Sequence, residues 1–222
     1  MEKPNKTGSI NINLGLAEDG RPEGWFSNAD GELYIKADKK HPGGTIVEVG
    51  TWVGRSLSYI LPICKSSNSP IYVVDHWTGS GDLTEECKTN DVFGNFINNL
   101  KYMGGFEHVK IIRKHSIEAA KTFKDNSISV VLVDASHDYE NVKADIDAWW
   151  PKLKLCGEMV GHDYIMAYPG IVQAVNERFG GPDETNNSCW RVTKMPNRLT
   201  RNQLSIDAEA VLCQVVCQVP GT

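Results

Sequence analysis

The chain has 222 residues, of which 41% are hydrophobic, 23% charged and 9% aromatic. That composition suits one globular domain with a sizeable core, and it excludes disordered and collagen-like chains. Its 23 Lys and Arg against 28 Asp and Glu leave a formal charge of −5, so the broad basic footprint of a nucleic-acid binder is missing. No run of about 18 apolar residues marks a membrane span, and the opening MEKPNKTGSININLG lacks the apolar segment of a signal peptide. A cytoplasmic chain with neither nucleic-acid nor membrane partner is expected. The six cysteines (Cys64, Cys87, Cys156, Cys189, Cys213, Cys217) form no CxxC pair, so reduced thiols are expected rather than zinc ligands or disulfides.

Residues 1–44 mix Gly, Asn and Asp with isolated apolar anchors: Ile10, Ile12, Leu14, Trp25, Phe26, Leu33, Tyr34 and Ile35. They read as an irregular arm or lid with a short helix, set over a main domain of residues 45–222. The arm is expected to shape an acceptor pocket or a homodimer contact, and its removal to leave a folded core. From Thr45 onward short apolar runs alternate with helical periods. Strands are predicted at Thr45–Val49, Ile71–Val74, Val109–Ile112, Ile128–Val133 and Glu158–Val160. Helical stripes lie between them, at Leu57–Cys64, Phe93–Leu100, Ile117–Phe123 and Val142–Leu153, and after the last of them at Ile171–Phe179. Two further β-like runs, Cys189–Thr193 and Ala210–Val219, are expected to pair as a C-terminal antiparallel hairpin. The alternation predicts a doubly wound, mostly parallel α/β sheet of seven strands with helices on both faces. Its ligands belong outside the carboxyl ends of the strands, where Glu48, Gly50, Asp75, His115, Ser116, Asp134, His162 and Asp163 fall.

The first turn reads Glu48-Val49-Gly50-Thr51-Trp52-Val53-Gly54-Arg55-Ser56. A dinucleotide turn needs G-x-G-x-x-G, whose second glycine lets a pyrophosphate touch the backbone. Trp52 stands at that position, and a nicotinamide-dependent oxidoreductase is disfavoured. The acid before two glycines four apart suits a ligand bearing an ammonium or sulfonium group; the alternative is a tight turn that uses glycine for its backbone angles. Asp75 follows the second strand, where a carboxylate can accept from ribose hydroxyls or cap the next segment.

These segments resemble the class I S-adenosylmethionine-dependent methyltransferases, and within them the small-molecule branch of macrocin-type O-methyltransferases and cephalosporin-hydroxylase-like proteins. The matching stretches are IVEVGTWVGRS, VVDHW, VVLVDASHDYENVKADIDAWWPKLKLCG and GHDY. One departure is Cys156-Gly157, where such proteins commonly carry Pro-Gly or Gly-Gly. The resemblance implies a Rossmann-like methyltransferase sheet and S-adenosylmethionine as cofactor. It places Glu48, Gly50, Thr51, Gly54 and Ser56 around the methionine end, Asp75 on the ribose with His76 and Trp77 nearby, His115 and Ser116 beside the adenine, and Asp134 on the cofactor side.

Asp134 and Asp163 end neighbouring strands, and carboxylates that close repel each other unless a cation intervenes. Mg2+ or Mn2+ is expected between them, since oxygen-rich sites suit those ions. If the strand continues regularly, His162 points to the opposite side. His137 and His162 are the candidate general bases, and Asp134 joins them in the catalytic set. Asp138, Glu140, Asp145 and Asp147 are expected to favour a helix N-terminus and carry no chemistry. The expected activity is methyl transfer to a small-molecule hydroxyl. A non-catalytic cofactor-binding interaction protein is the rival, and the set Asp134, His137, His162 and Asp163 argues against it.

Overall fold

A computed structural model of the chain describes residues 16–79 and 81–196. Seven strands form one sheet in the order β3-β2-β1-β4-β5-β7-β6. They are β1 (Ile46–Val49), β2 (Ile71–Asp75), β3 (Val109–Arg113), β4 (Ile128–Val133), β5 (Leu153–Gly161), β6 (Glu184–Asn186) and β7 (Cys189–Thr193). The first five run parallel, and β7 is antiparallel to both β5 and β6. The winding reverses at β1, which lies between β2 and β4, and that switch point fixes the crevice.

Alternation along each strand sorts the core into two faces. Ile46, Val73, Val130, Leu132 and Val160 pack on one side with α1 (Asn28–Lys40), α2 (Leu57–Ser67) and α4 (Val92–Tyr102). Val47, Val49, Val74, Val131, Val133 and Met159 pack on the other with α5 (Ser116–Ala120), α6 (Tyr139–Trp149) and α7 (Pro169–Phe179). A short α3 (Thr84–Thr89) precedes α4. Caps set the helix boundaries. Ser27 and Asp30 make a reciprocal capping box at α1, Asp138 caps α6 through the Asn141 amide, and α7 runs from Pro169 to a left-handed Gly180. No helix among the described residues is long and apolar enough to cross a membrane.

Three expectations need correction. The expected short helix is α1, but residues 16–45 are not set apart from the main domain, because α1 buries Leu33, Tyr34 and Ala37 in its core beside Phe26. Arg55 fixes the preceding turn, donating to the carbonyls of Phe26 and Pro22 and pairing with Asp19. The antiparallel hairpin forms between β6 and β7, so the partner of Cys189–Thr193 precedes it; Ala210–Val219 lies outside the described residues, as do Ile10, Ile12, Leu14, Cys213 and Cys217. Finally, β5 begins at Leu153 rather than Glu158. Cys156 takes the left-handed angle there (φ 60°), not Gly157, and the register against β4 shifts between Ile128 and Val130. Cys64, Cys87 and Cys189 are in the reduced state.

Candidate functional site

The carboxyl ends of β1 and β2 are laced together by one side chain. Asp75 Oδ2 accepts from the amides of Thr51 (3.2 Å) and Trp52 (3.0 Å), and Oδ1 accepts from the amide of Trp77 (2.7 Å). The Trp77 indole donates to the Trp52 carbonyl at 2.8 Å. Gly50 takes φ 83°, and a Cβ there would strike the carbonyl oxygen of Asp134. Only glycine lets this turn lie against the end of β4. Glu48 is wholly buried. Its Oε2 accepts from the Thr51 hydroxyl at 2.6 Å, and its Oε1 has no partner. Burial pushes the carboxyl up to about 7, against the Thr51 and Ser56 hydroxyls that lower it. At the mouth, the rings of His76 and His115 stand 4.3 Å apart, and Trp25 faces Trp52 at 6.4 Å.

The ends of β4 and β5 carry a second cluster, built from distant segments. His162 is buried, with Nδ1 3.4 Å from Asp134 Oδ1 and 3.5 Å from Asp163 Oδ1. Its Nε2 lies 2.9 Å from the Ser188 hydroxyl and 3.5 Å from Asp30 Oδ2. Burial alone would lower its pKa, but Asp134, Asp163 and Asp30 reverse that and push it up to about 12. Asp163 Oδ2 takes His137 Nε2 at 2.9 Å. Burial of Asp163 opposes ionisation, yet the two imidazoles hold it well below the usual carboxylate range. The His137 ring in turn lies 4.6 Å from that of Tyr168.

A family model described as a methyltransferase domain matches residues 47–164. The chain belongs to that family. The matched segment holds the glycine turn, Asp75, Asp134, His137, His162 and Asp163, and it leaves out α1 and the β6–β7 hairpin. The methyltransferase domain has the fold of a Corynebacterium glutamicum protein (TM-score 0.57, 17% identity, 81% of this chain and 86% of that one). It is similarly close to the O-methyltransferase NovP (TM-score 0.56, 19% identity, covering 74% and 76%). A SAM-dependent O-methyltransferase from Thermotoga maritima gives TM-score 0.56 at 14% identity, covering 80% and 69%. In sequence the domain is 29% identical over 123 residues to the uncharacterized protein y4gI of Sinorhizobium fredii. That stretch is 53% of this chain and 13% of the relative's length.

The methyltransferase domain thus gathers Glu48, Gly50, Thr51, Asp75 and Asp134 at one crevice, with His76 and His115 at its mouth. Two expected cofactor contacts are turned elsewhere. Trp77 is buried against Phe93 and Phe96, so it supports the turn from below. Ser116 accepts from the Trp149 indole at 2.8 Å and bonds Asp145, which aims its hydroxyl into the α6 side of the core. His162 also departs from expectation. Asp163 adopts a left-handed backbone (φ 60°), the alternation breaks after β5, and both residues face Asp134. Both ring nitrogens of His162 already face partners, Nε2 the Ser188 hydroxyl and Asp30, Nδ1 Asp134 and Asp163, so of the two candidate bases His137 is the one with a ring nitrogen left over. Asp138 caps α6 through the Asn141 amide.

Sequence reading missed Asp30 and Ser188. Ser27-x-x-Asp30 has the spacing of a capping box, so the cap was legible. The reach of Asp30 to His162 was not, because it depends on the fold.

Proposed function

We propose that this chain transfers the methyl group of S-adenosylmethionine to a hydroxyl of a small molecule. The observation that carries the reading is the junction of the two clusters. A carboxylate-lined glycine turn meets, at the end of the neighbouring strand, a histidine oriented by a carboxylate. Glu48 with its unpartnered buried oxygen, Asp75 and Asp134 fit a ligand bearing ammonium and sulfonium groups, and these residues with His76 and His115 would hold it. Bound there, S-adenosylmethionine supplies an electrophilic methyl on a sulfonium. With that group bound, an acceptor oxygen would take the methyl as S-adenosylhomocysteine is released, and His137 would receive the hydroxyl proton. Asp163 holds Nε2 of that ring, so Nδ1 is the atom that takes the proton, in the manner of carboxylate-oriented imidazoles. The dominant contribution is alignment of oxygen, carbon and sulfur by the crevice walls.

The donor set Asp134, His162 and Asp163 lies within 4.8 Å and fits a divalent cation, which would place positive charge beside the acceptor oxygen. The rival non-catalytic binding protein has no use for the His137–Asp163 pair. The test is thermal denaturation with each ligand. S-adenosylhomocysteine at one hundred times its Kd stabilises by about 2.7 kcal/mol and raises Tm, whereas NAD leaves it unmoved because Trp52 blocks the pyrophosphate. A larger shift with NAD overturns the reading.

A further inference from the structure

Buried polar contacts of the site also come from outside the segment shared with the family. Asp30, on the first turn of α1, is 2% exposed. Its Oδ1 accepts from the Ser188 hydroxyl (2.7 Å), the Ser188 amide (3.2 Å) and Asn187 Nδ2 (2.8 Å). Its Oδ2 accepts from the Ser27 amide (2.9 Å) and hydroxyl (2.6 Å), and faces His162 Nε2. Ser188 touches the same nitrogen. Helix α1 and the β6–β7 hairpin therefore grip the ring from behind, and Phe26 lies against it at 4.9 Å. With Nε2 taken up in this way, Nδ1 is the nitrogen turned toward Asp134 and Asp163.

Separations of 3.4 and 3.5 Å exceed the roughly 2.7–3.2 Å of an ordinary N–H···O bond. They suit donors arranged around a common centre. An outer carboxylate behind a ligating imidazole fixes ring orientation and raises ligand basicity, and its loss commonly lowers metal affinity about 10–100-fold. An imidazole in the donor set also shifts preference from Mg2+, which suits all-oxygen sites, toward transition metals.

We propose that Asp30 is a positioning residue: from the N-terminal helix it fixes the His162 ring so that Nδ1 completes a mixed nitrogen–oxygen donor set with Asp134 and Asp163, and this set selects a transition-metal dication over Mg2+. The proposal rests on the donor set named above. Ligation uses Nδ1 without its proton, which leaves to solvent, while Nε2 keeps its proton toward Ser188 and Asp30. Asp134 Oδ1 and Asp163 Oδ1 supply the other donors, and Asp163 Oδ2 remains with His137.

The experiment titrates the full chain with Mn2+ and with Mg2+, reading Mn2+ by electron paramagnetic resonance and both ions by calorimetry. Wild type should bind Mn2+ more tightly than Mg2+. Asp30→Asn should weaken Mn2+ about 10–100-fold and narrow the preference. Leu100→Ala opens the core under α4, away from Asp30 and His162, so it should lower Tm and leave Mn2+ affinity unchanged. Should Asp30→Asn fail to fold, Ser188→Ala takes its place with the same expected direction. No Mn2+ binding at millimolar concentration, equal affinity for the two ions, or equal losses in Asp30→Asn and Leu100→Ala each overturn the proposal. Melting with S-adenosylhomocysteine is read in parallel. Stabilisation by that ligand without Mn2+ binding sinks the metal proposal and leaves methyl transfer standing; the reverse result sinks methyl transfer alone.

Discussion

The two halves of the crevice hold their polar groups in different ways. Around β1 and β2 the carboxylates bond to nearby backbone: Asp75 spans the amides of Thr51, Trp52 and Trp77, and Glu48 takes the Thr51 hydroxyl. Around β4 and β5 the charged side chains bond to one another across the fold, in a line from Asp30 through His162 and Asp163 to His137. The first arrangement is assembled by two neighbouring turns and tolerates changes elsewhere. The second exists only once the N-terminal helix, the central strands and the C-terminal hairpin have all docked. Recognition of a cofactor can thus be a local property of this chain, while the acceptor side is a property of its tertiary structure.

The largest test of that contrast removes residues 1–40. The deletion takes Phe26, Leu33 and Tyr34 out of the core, roughly 5–9 kcal/mol of burial at about 1.5–3 kcal/mol each. A domain is stable by only about 5–15 kcal/mol. The truncated chain should lack a cooperative melt by circular dichroism. A folded, S-adenosylhomocysteine-binding remainder would show that α1 is an appendage after all.

A smaller effect sharpens the comparison away from the crevice. Asp38 is buried on α1, its Oδ1 has no partner, and burial raises its pKa to about 6 against a weak lowering by the Cys64 thiol. The unfolded chain ionises this carboxyl near its ordinary value of 3.8, so it favours folding below that pH. The contribution is lost as pH climbs from there to about 6. Asp38→Asn should therefore gain about 2–3 kcal/mol over wild type at pH 7, since each tenfold change in an ionisation constant on folding is worth about 1.4 kcal/mol. The gain should shrink by pH 4. Urea denaturation at the two pH values measures this, and equal differences at both would refute it. The smallest effect belongs to Asp138→Ala, which loses the α6 cap and about 1 kcal/mol of stability. S-adenosylhomocysteine binding should be unaffected, and a weakened affinity would mean that the acidic helix start serves the site.

Legibility in the sequence follows the same division. Strands β1, β2 and β4 were readable because parallel strands inside the sheet are near-continuous apolar runs, β3 at the edge kept Val109, Ile111 and Ile112 as its signal, and the glycine turn and Asp75 were readable because their partners lie close by along the two strands. The short β6, Glu184–Asn186, carries no apolar pattern and escaped; its existence depends on pairing with β7. The orientation of His162 was misjudged because strict alternation was assumed through Asp163, where the backbone turns left-handed. Asp30 was missed as a neighbour of His162, since no local period records a contact between a helix start and a strand end.

Trp52, Trp77 and Asp163 all hold φ between 50° and 60°, angles that disfavour side chains by roughly 1–2 kcal/mol per residue. Glycine would sit there without that burden. The crevice is thus the part of the molecule where selection for thermal robustness and selection for chemistry pull in opposite directions. A directed-evolution campaign scored on heat tolerance alone would drift toward glycine at Trp52, the one of the three that is only partly buried, and the hardier descendants would lose the indole that stands in the way of a pyrophosphate.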